Sequence, residues 1–328
     1  MNEKPSFGKF VFKRRLSRRD FIKLSVSLLA LLPFSEGLLR PLLAKESSFN
    51  GRPKRTIKAD HDLVVIEGKD PYTMTVKAIE AMGKMERFVK KNAVVVIKPN
   101  ICYDRVPEQA ATTNPEVVAA LVDLCFKAGA KRVNVFDSTI NDLRRCYASS
   151  GIQKAATERG ANVYFPDSWD VIEAHFPYES PMAGWPILRD AIECDTFINV
   201  PILKHHSRTQ LSISMKNLMG VCTGNRGLIH QNIGRKLVDL TDFIKPELTV
   251  VDAFRVLIKN GPGGGNLEDV VYKNKILVSI DSTLADIFAC SIVGVDPQTV
   301  ASLKDAIQLN FGITNIAKAD IEILHKQL

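Results

Sequence analysis

The sequence predicts an α/β protein, a doubly wound and mostly parallel sheet with helices on both faces. Three observations carry this. Short β-branched runs alternate with segments of helical spacing, the order that β-α-β units require. The run Ala93–Ile97 (AVVVI) is apolar throughout, as a strand buried on both faces must be. Several such runs end in charged or amide residues, and open parallel sheets bind ligands beyond the carboxyl ends of their strands.

The elements follow in order. Leu63–Ile66 is a short apolar run. Asp70 and Pro71 supply an N-cap and a first helical proline, after which Met74, Ala78, Met82, Met85 and Val89 recur at helical spacing. Asn114-Pro115-Glu116 opens a second helix with Val117, Val118, Leu121, Val122 and Cys125 inward, closed by Gly129. Arg132–Phe136 reads as a strand, Leu143–Arg159 as a helix and Asn162–Phe165 as a strand. Residues 166–194, with Trp169, Trp185 and four prolines, break the rhythm and are expected to form an insert or lid. Later strands are expected at Asp195–Pro201, Leu248–Val251 and Ile276–Ile280. Helices are expected at Gln210–Met219, Ile233–Phe243, Leu284–Val293 and Gln298–Leu309.

The N-terminus reads as an address. Ser17-Arg18-Arg19-Asp20-Phe21-Ile22-Lys23 runs into the apolar stretch Leu24–Leu32, the pattern of a twin-arginine export signal. That stretch is too short for a comfortable membrane span, which needs about 20 residues. The alternative is an uncleaved anchor, lengthened by Gly37–Ala44; Ala44 is the best cleavage candidate. The expected organisation is a signal segment over 1–45, a polar linker over 46–60 and a single α/β domain over 61–328. The expected partner is the twin-arginine translocation machinery, with membrane contact only through the signal. The protein is then periplasmic or otherwise extracytoplasmic.

Charge supports this division. Residues 1–45 hold ten basic and three acidic side chains, a net +7 against +8 for the whole chain, which leaves +1 for residues 46–328. A basic protein of this size suggests nucleic acid, but here the basicity belongs to the address and that inference fails. Arg52, Lys54, Arg55 and Lys58 read as a solvated cluster in the linker. The six cysteines are scattered with no C-x-x-C, so neither an iron–sulfur cluster nor a zinc ribbon is expected within the chain. Cys125 and Cys290 fall on apolar helical faces and read as small core residues.

The polar strand ends form the candidate site. Ala93–Ile97 leads to Lys98-Pro99-Asn100, Val133–Phe136 to Asp137-Ser138, and Phe197–Val200 to Lys204-His205-His206. Leu248–Val251 ends at Asp252 and Leu277–Ile280 at Asp281. Lys98 closes a buried run and cannot easily reach water, so it is expected to point into a cleft. His205 and His206 face opposite ways in an extended segment, so at most one joins the site. Asp281 also reads as the N-cap of the helix that follows, and Asp137 and Asp252 also read as turn residues. Gly261-Pro262-Gly263-Gly264-Gly265 lacks the spacing of a phosphate cradle and reads as a turn. Met215–Gly220 carries Lys216 and Asn217 on a helix end, with the lysine near the C-terminal dipole.

Several of these segments come together in one further pattern. Ile97-Lys98-Pro99-Asn100, Thr112-Thr113-Asn114-Pro115, Ile198-Asn199-Val200-Pro201 with Lys204 and His206, Lys216-Asn217-Leu218-Met219-Gly220, Gly261-Pro262, and Asp281 with Asp286 occur in this order. Over residues 63–295 the chain resembles the domain-of-unknown-function family 362. The resemblance puts Lys98, Asn100, Lys204, His206, Lys216, Asn217, Asp281 and Asp286 on the family's motifs. Some relatives carry an added ferredoxin-type segment, which this chain lacks, and Ile202 stands where many have another lysine. The resemblance implies a fold and a rim of residues but no reaction.

Two functions follow. In the first, the chain is an exported enzyme acting on a small anionic substrate. His206 and Lys98 are its catalytic candidates, with His206 as general acid–base because an unperturbed imidazole titrates near neutrality. Asn100, Lys204, Lys216 and Asn217 bind ligand, and Asp252 and Asp281 are candidate oxygen ligands for a divalent metal. In the second, the chain is a non-catalytic ligand-binding or cofactor-maturation accessory protein of a periplasmic redox system, and the same lysines are clamps.

Overall fold

A computed structural model describes residues 51–167 and 170–325. The export-type segment 1–45, its candidate cleavage site at Ala44 and Trp169 lie outside the described residues. Among the described residues no helix is long and apolar enough to cross a membrane.

The first half alternates strand and helix. β1 (Leu63–Glu67) is followed by α1 (Pro71–Ala81), whose N-cap Asp70 accepts a hydrogen bond from the Thr73 amide. β2 (Val94–Pro99) leads to α2 (Pro115–Lys127), capped by Asn114. Then come β3 (Arg132–Val135), α3 (Leu143–Ser149), α4 (Ile152–Thr157) and β4 (Asn162–Val163). One helix was expected across Leu143–Arg159. It is split because Gly151 takes a left-handed conformation with φ of 71°, which only glycine adopts readily. β5 (Val171–Glu173) and β6 (Pro186–Leu188) make a separate two-stranded antiparallel ribbon, followed by α5 (Asp190–Glu193).

The second half builds the site. β7 (Thr196–Val200), β8 (Ile202–His206) and β9 (Gln210–Ser212) precede the short α6 (Ser214–Asn217) and a 3-10 turn at Leu218–Val221. The expected helix over Gln210–Met219 therefore begins as a strand. The exposed edge of β8 takes β9 as its antiparallel partner, with Leu211 opposite His205, and that pairing overrides helical spacing. α7 (Ile233–Ile244), β10 (Leu248–Leu257), β11 (Val270–Ser279), α8 (Ser282–Val293), α9 (Ala301–Gln308) and β12 (Ile321–His325) complete the described chain. β10 and β11 run past the expected strands Leu248–Val251 and Ile276–Ile280 as a long antiparallel pair, so Arg255 faces Tyr272.

The main sheet has the order β12-β1-β11-β10-β7-β2-β3-β4, with β8 and β9 branching from β10. Six of its nine strand pairings are parallel, which gives the expected class. Alternate residues feed opposite cores. Val95 and Ile97 pack with Met74 and Ala78 of α1 and Leu121 of α2, whereas Val96 and Phe197 join the core of Leu237, Leu284 and Leu303 from α7, α8 and α9.

Pro201 sets the position of the site. Up to Val200, β7 is bonded to both β2 and β10. After Pro201, which has no amide hydrogen to donate, β8 stays with β10 and leaves β2. The ends of β2 and β8 diverge, and a cleft opens between them.

The start of the domain is tied down more firmly than its composition suggests. Arg52, expected to be solvated, is buried and faces the Glu247 carboxylate at 2.9 Å. Glu247 also accepts the Phe197 amide at 2.7 Å, so the pair links the chain start to β7. Arg52→Ala would leave that carboxylate buried without its cation, and urea denaturation is expected to show a loss of about 3–5 kcal/mol. A loss below about 1 kcal/mol would mean the pair is not what holds this end.

Candidate functional site

The cleft is open at its mouth and, with the solvent space there, spans about 590 Å³. Asn100, Cys102 and Tyr103 follow β2, and Asp137 and Ser138 follow β3. Lys204 and His206 project from β8, Lys216 and Asn217 from α6, and Gly220 from the 3-10 turn. Arg226 and His230 close the far side, and Pro262 the near one. The glycine-rich turn is a fixed wall. The Gly261 amide donates to His205 Nδ1 at 3.0 Å, and Arg105 and Gln109 hold the carbonyls of Gly263 and Gly265 at 3.0 and 2.8 Å.

The floor is an ion pair. Lys98 is fully buried, and its Nζ meets Asp137 Oδ1 at 2.7 Å and donates to the Pro99 carbonyl at 2.8 Å. Asp137 Oδ2 accepts the Ile101 amide at 2.7 Å. Lys98 therefore does not point into the cleft as the sequence suggested. Its ammonium stops at Asp137, which is the member of the pair that lines the wall. Burial pulls the Lys98 amine below its ordinary value while Asp137 opposes the shift. Gly220 lies directly over the pair: a Cβ there would collide with Asp137 Oδ1 and come within 2.6 Å of Lys98 Nζ.

An amide ladder stands beside this floor. Asn100 Nδ2 donates to Asn217 Oδ1 at 3.1 Å, and Asn217 Nδ2 donates to Asn199 Oδ1 at 2.9 Å and to the Lys98 carbonyl at 3.2 Å. Asn199 Nδ2 in turn donates to the Ser214 carbonyl at 2.9 Å. Asn217 has spent its amide on this ladder, so it positions β2, β7 and α6 relative to one another.

Two amines face the cleft in different company. Lys204 Nζ donates to the Ala111 carbonyl at 2.5 Å and to Asn100 Oδ1 at 3.4 Å, and sits 4.7 Å from the centre of the Tyr103 ring. Among the described residues Lys216 Nζ has only Met219 Sδ at 3.3 Å and His230 Nε2 at 3.2 Å. Burial pushes both amines down to about 8.

Burial lowers the pKa of both cleft histidines, His206 and His230. Burial, with Lys216 and His230 adding to it, pushes His206 down to about 3. Its Nδ1 accepts the Arg208 amide at 3.1 Å, so the ring proton sits on Nε2. The expected general acid–base near neutrality is not met: His206 is a fixed donor. His230 stacks on it with ring centres 5.8 Å apart, and burial lowers its value as well. His230 Nδ1 lies 3.3 Å from the Gly227 carbonyl, which can only accept, so Nε2 offers its lone pair to Lys216.

The carboxylates suggested for a metal are elsewhere. Asp252 accepts the amides of Asn114 and Phe254, and Asp281 those of Leu284 and Ile313, so both have committed their oxygens to the backbone. Asp286 accepts from Ser214 and Met215 and locks α6 onto α8. None of the three lines the cleft. Among the described residues no group of three or more His, Cys, Asp or Glu could hold a metal ion. All six cysteines are free thiols, and Cys102 alone lines the cleft, its thiol pushed up by burial.

Sequence reasoning missed Tyr103, Arg226 and His230 as lining residues. Arg226 donates to the carbonyls of Ser138 and Thr139 at 3.0 and 2.6 Å, and no strand end announces it. His230 follows Lys216 by fourteen residues, across two short 3-10 helices and the loop between them, so neither periodicity nor spacing marks it.

Gly220→Ala is expected to force Asp137 and Lys98 apart and to lower unfolding stability by about 1–3 kcal/mol. An unchanged midpoint would show that the floor can yield. The amines also predict a pH dependence. A lysine held below its ordinary 10.5 contributes stability that is fully present above that value and lost as pH falls through about 8. Thermal unfolding followed downward from pH 10.5 should therefore show a falling midpoint, and Lys204→Met should flatten the fall.

Comparison with known proteins supplies the family. A thylakoid-associated protein of Synechocystis sp. is 27% identical over 250 residues, 72% of this chain and 74% of that relative. The lactate racemase apoprotein from Thermoanaerobacterium thermosaccharolyticum aligns over 76% of this chain at 13% identity with a TM-score of 0.48. A protein from Thermotoga maritima aligns over 68% at 14% identity with a TM-score of 0.37. The chain spans 59% and 58% of the lengths of those two structures. The family model described as domain of unknown function (DUF362) matches residues 95–291, more than half of the chain and every strand end around the cleft. This chain belongs to the DUF362 family.

Proposed function

We propose that the chain is an exported enzyme whose cleft holds a small anionic substrate. The observation that carries the reading is the charge around the cleft. Lys204, Lys216 and Arg226 line it, and the one carboxylate among the lining residues, Asp137, is already neutralised by Lys98 from beneath. Three cations therefore remain unmatched in a partly desolvated space, where an anion's oxygens gain more than they do in water. Lys204 supplies charge, since its own protons have acceptors, while Lys216 and Arg226 can turn N–H groups toward the ligand.

The alternative, a non-catalytic binding protein, gains support from His206, whose ring is a fixed donor and not a proton carrier. The Lys216–His230 contact favours the enzyme, because an amine lowered to about 8 and hydrogen-bonded to an imidazole nitrogen is placed to pass a proton to it. The two readings separate on His230→Ala: the enzyme loses turnover and keeps ligand, whereas a binding protein loses neither.

Export rests on Arg18 and Arg19 with the apolar stretch that follows them. The thylakoid association named for the Synechocystis relative supports work at or across a membrane. On this reading Arg18→Lys with Arg19→Lys keeps the chain in the cytoplasm, as cell fractionation would report. Continued export of the double variant would remove the twin-arginine assignment.

Calorimetric titration with inorganic phosphate and with pyruvate tests the site. Lys204→Met and Lys216→Met are each expected to weaken binding by about 10- to 100-fold, the worth of one charged contact. Wild-type affinity for phosphate should fall as pH rises through about 8, because the amines lose their charge there. Binding that is indifferent to pH in that range and to both substitutions would refute the anion reading.

A further inference from the structure

The three buried lysines differ in what receives their protons. Lys98 faces a carboxylate and a carbonyl, and Lys204 a carbonyl, an amide oxygen and an aromatic face. Lys216 has no oxygen acceptor among its hydrogen bonds, only a thioether sulfur and an imidazole nitrogen. A neutral amine has two hydrogens and one lone pair. Met219 Sδ and His230 Nε2 take the two hydrogens, which leaves the lone pair at the remaining tetrahedral position of a residue that lines the cleft. His230 is held in the tautomer this needs by the Gly227 carbonyl on its other nitrogen, and His206 stacks against its ring. Nucleophile, base and orienting group thus stand in hydrogen-bonded sequence, the arrangement by which weak nucleophiles are activated.

Resting on the anion-binding reading above, we propose that Lys216 forms an imine with the carbonyl of a small 2-oxo acid whose carboxylate is held by Lys204 and Arg226. The Nζ lone pair attacks the carbonyl carbon, forming the N–C bond while the C=O π pair moves to oxygen. His230 Nε2 takes the proton released from Nζ and returns it to that oxygen. His230 Nε2 then carries the second Nζ hydrogen to the hydroxyl, the C–O bond breaks as water leaves, and the nitrogen lone pair forms the C=N bond, with no oxidant or reductant consumed. The groups facing Nζ suit this chemistry. Burial is the main pull toward the neutral amine, the cations Lys204, Arg226 and Arg208 act in the same direction, and only a charged Cys102 thiolate would oppose it.

The test uses the full chain, pyruvate and cyanoborohydride, with peptide mapping by mass spectrometry. The expected result is one reduced pyruvate adduct per chain, on Lys216, with exposed lysines such as Lys54 and Lys91 at background. The labelling rate should rise as pH rises through about 8, and His230→Ala should slow it by about 100-fold or more. Labelling spread in proportion to exposure, labelling of Lys204 in place of Lys216, or a His230→Ala rate equal to wild type would each overturn the imine. A phosphate titration on the same sample keeps the two proposals apart. Phosphate bound without Lys216 labelling sinks the imine alone; neither phosphate nor pyruvate bound sinks the anion site beneath it.

Discussion

Lys98 and Asp137 meet at 2.7 Å where no water reaches the ammonium, and each holds the end of a different central strand. A buried pair of this kind costs much desolvation, and its loss would leave one charge stranded. The surrounding chain conforms to it. Pro99 offers its carbonyl, Ile101 its amide, and the turn after α6 passes over the pair without a side chain at Gly220. The Ser138 amide then bonds to the Gly220 carbonyl at 3.1 Å and fastens the turn to the end of β3. The walls of the cleft take their positions from this floor.

The second constraint is topological. A parallel sheet normally carries its neighbours side by side to their ends, but here the chain changes partners at Pro201. β8 continues along β10 and brings Lys204 and His206 opposite Asn100 and Asp137, across a gap that β2 no longer fills. The Asn100–Asn217–Asn199 ladder bridges the base of that gap with side-chain amides where a strand ladder would have used the backbone. Burying those amides is tolerable because their side chains find partners within the protein.

Much of this was legible in the sequence. Apolar runs and caps located the central strands and the longer helices, since both signals are local: Asp70, Asn114 and Asp281 cap the helices whose starts they mark. Lys98, Asn100, Lys204, His206, Lys216 and Asn217 do gather around one cleft. Their division of labour was not legible, because it depends on what lies opposite. Lys98 looked like a cleft residue until Asp137 stood in front of it, and His206 looked titratable until burial and the Arg208 amide fixed its proton. Arg52 read as solvated because Glu247 is nearly 200 residues away in the chain. Arg226 and His230 stand at the two ends of a 3-10 helix too short for its period to show in the sequence.

The amide ladder has a consequence for how such a protein can change over time. Asn199, Asn217 and Asn100 are each both donor and acceptor to a neighbour, so replacing one orphans the next, and a viable path through sequence space must change several together. Gly220 admits no side chain. The mouth is less restricted: Arg226 is tied to backbone carbonyls, and Tyr103 and His230 touch the cleft lysines but make no contact with the Lys98–Asp137 floor. Descendants of this chain could therefore exchange their ligand by drift at the mouth while the floor stayed frozen, which makes the floor a marker of ancestry and the mouth a marker of trade.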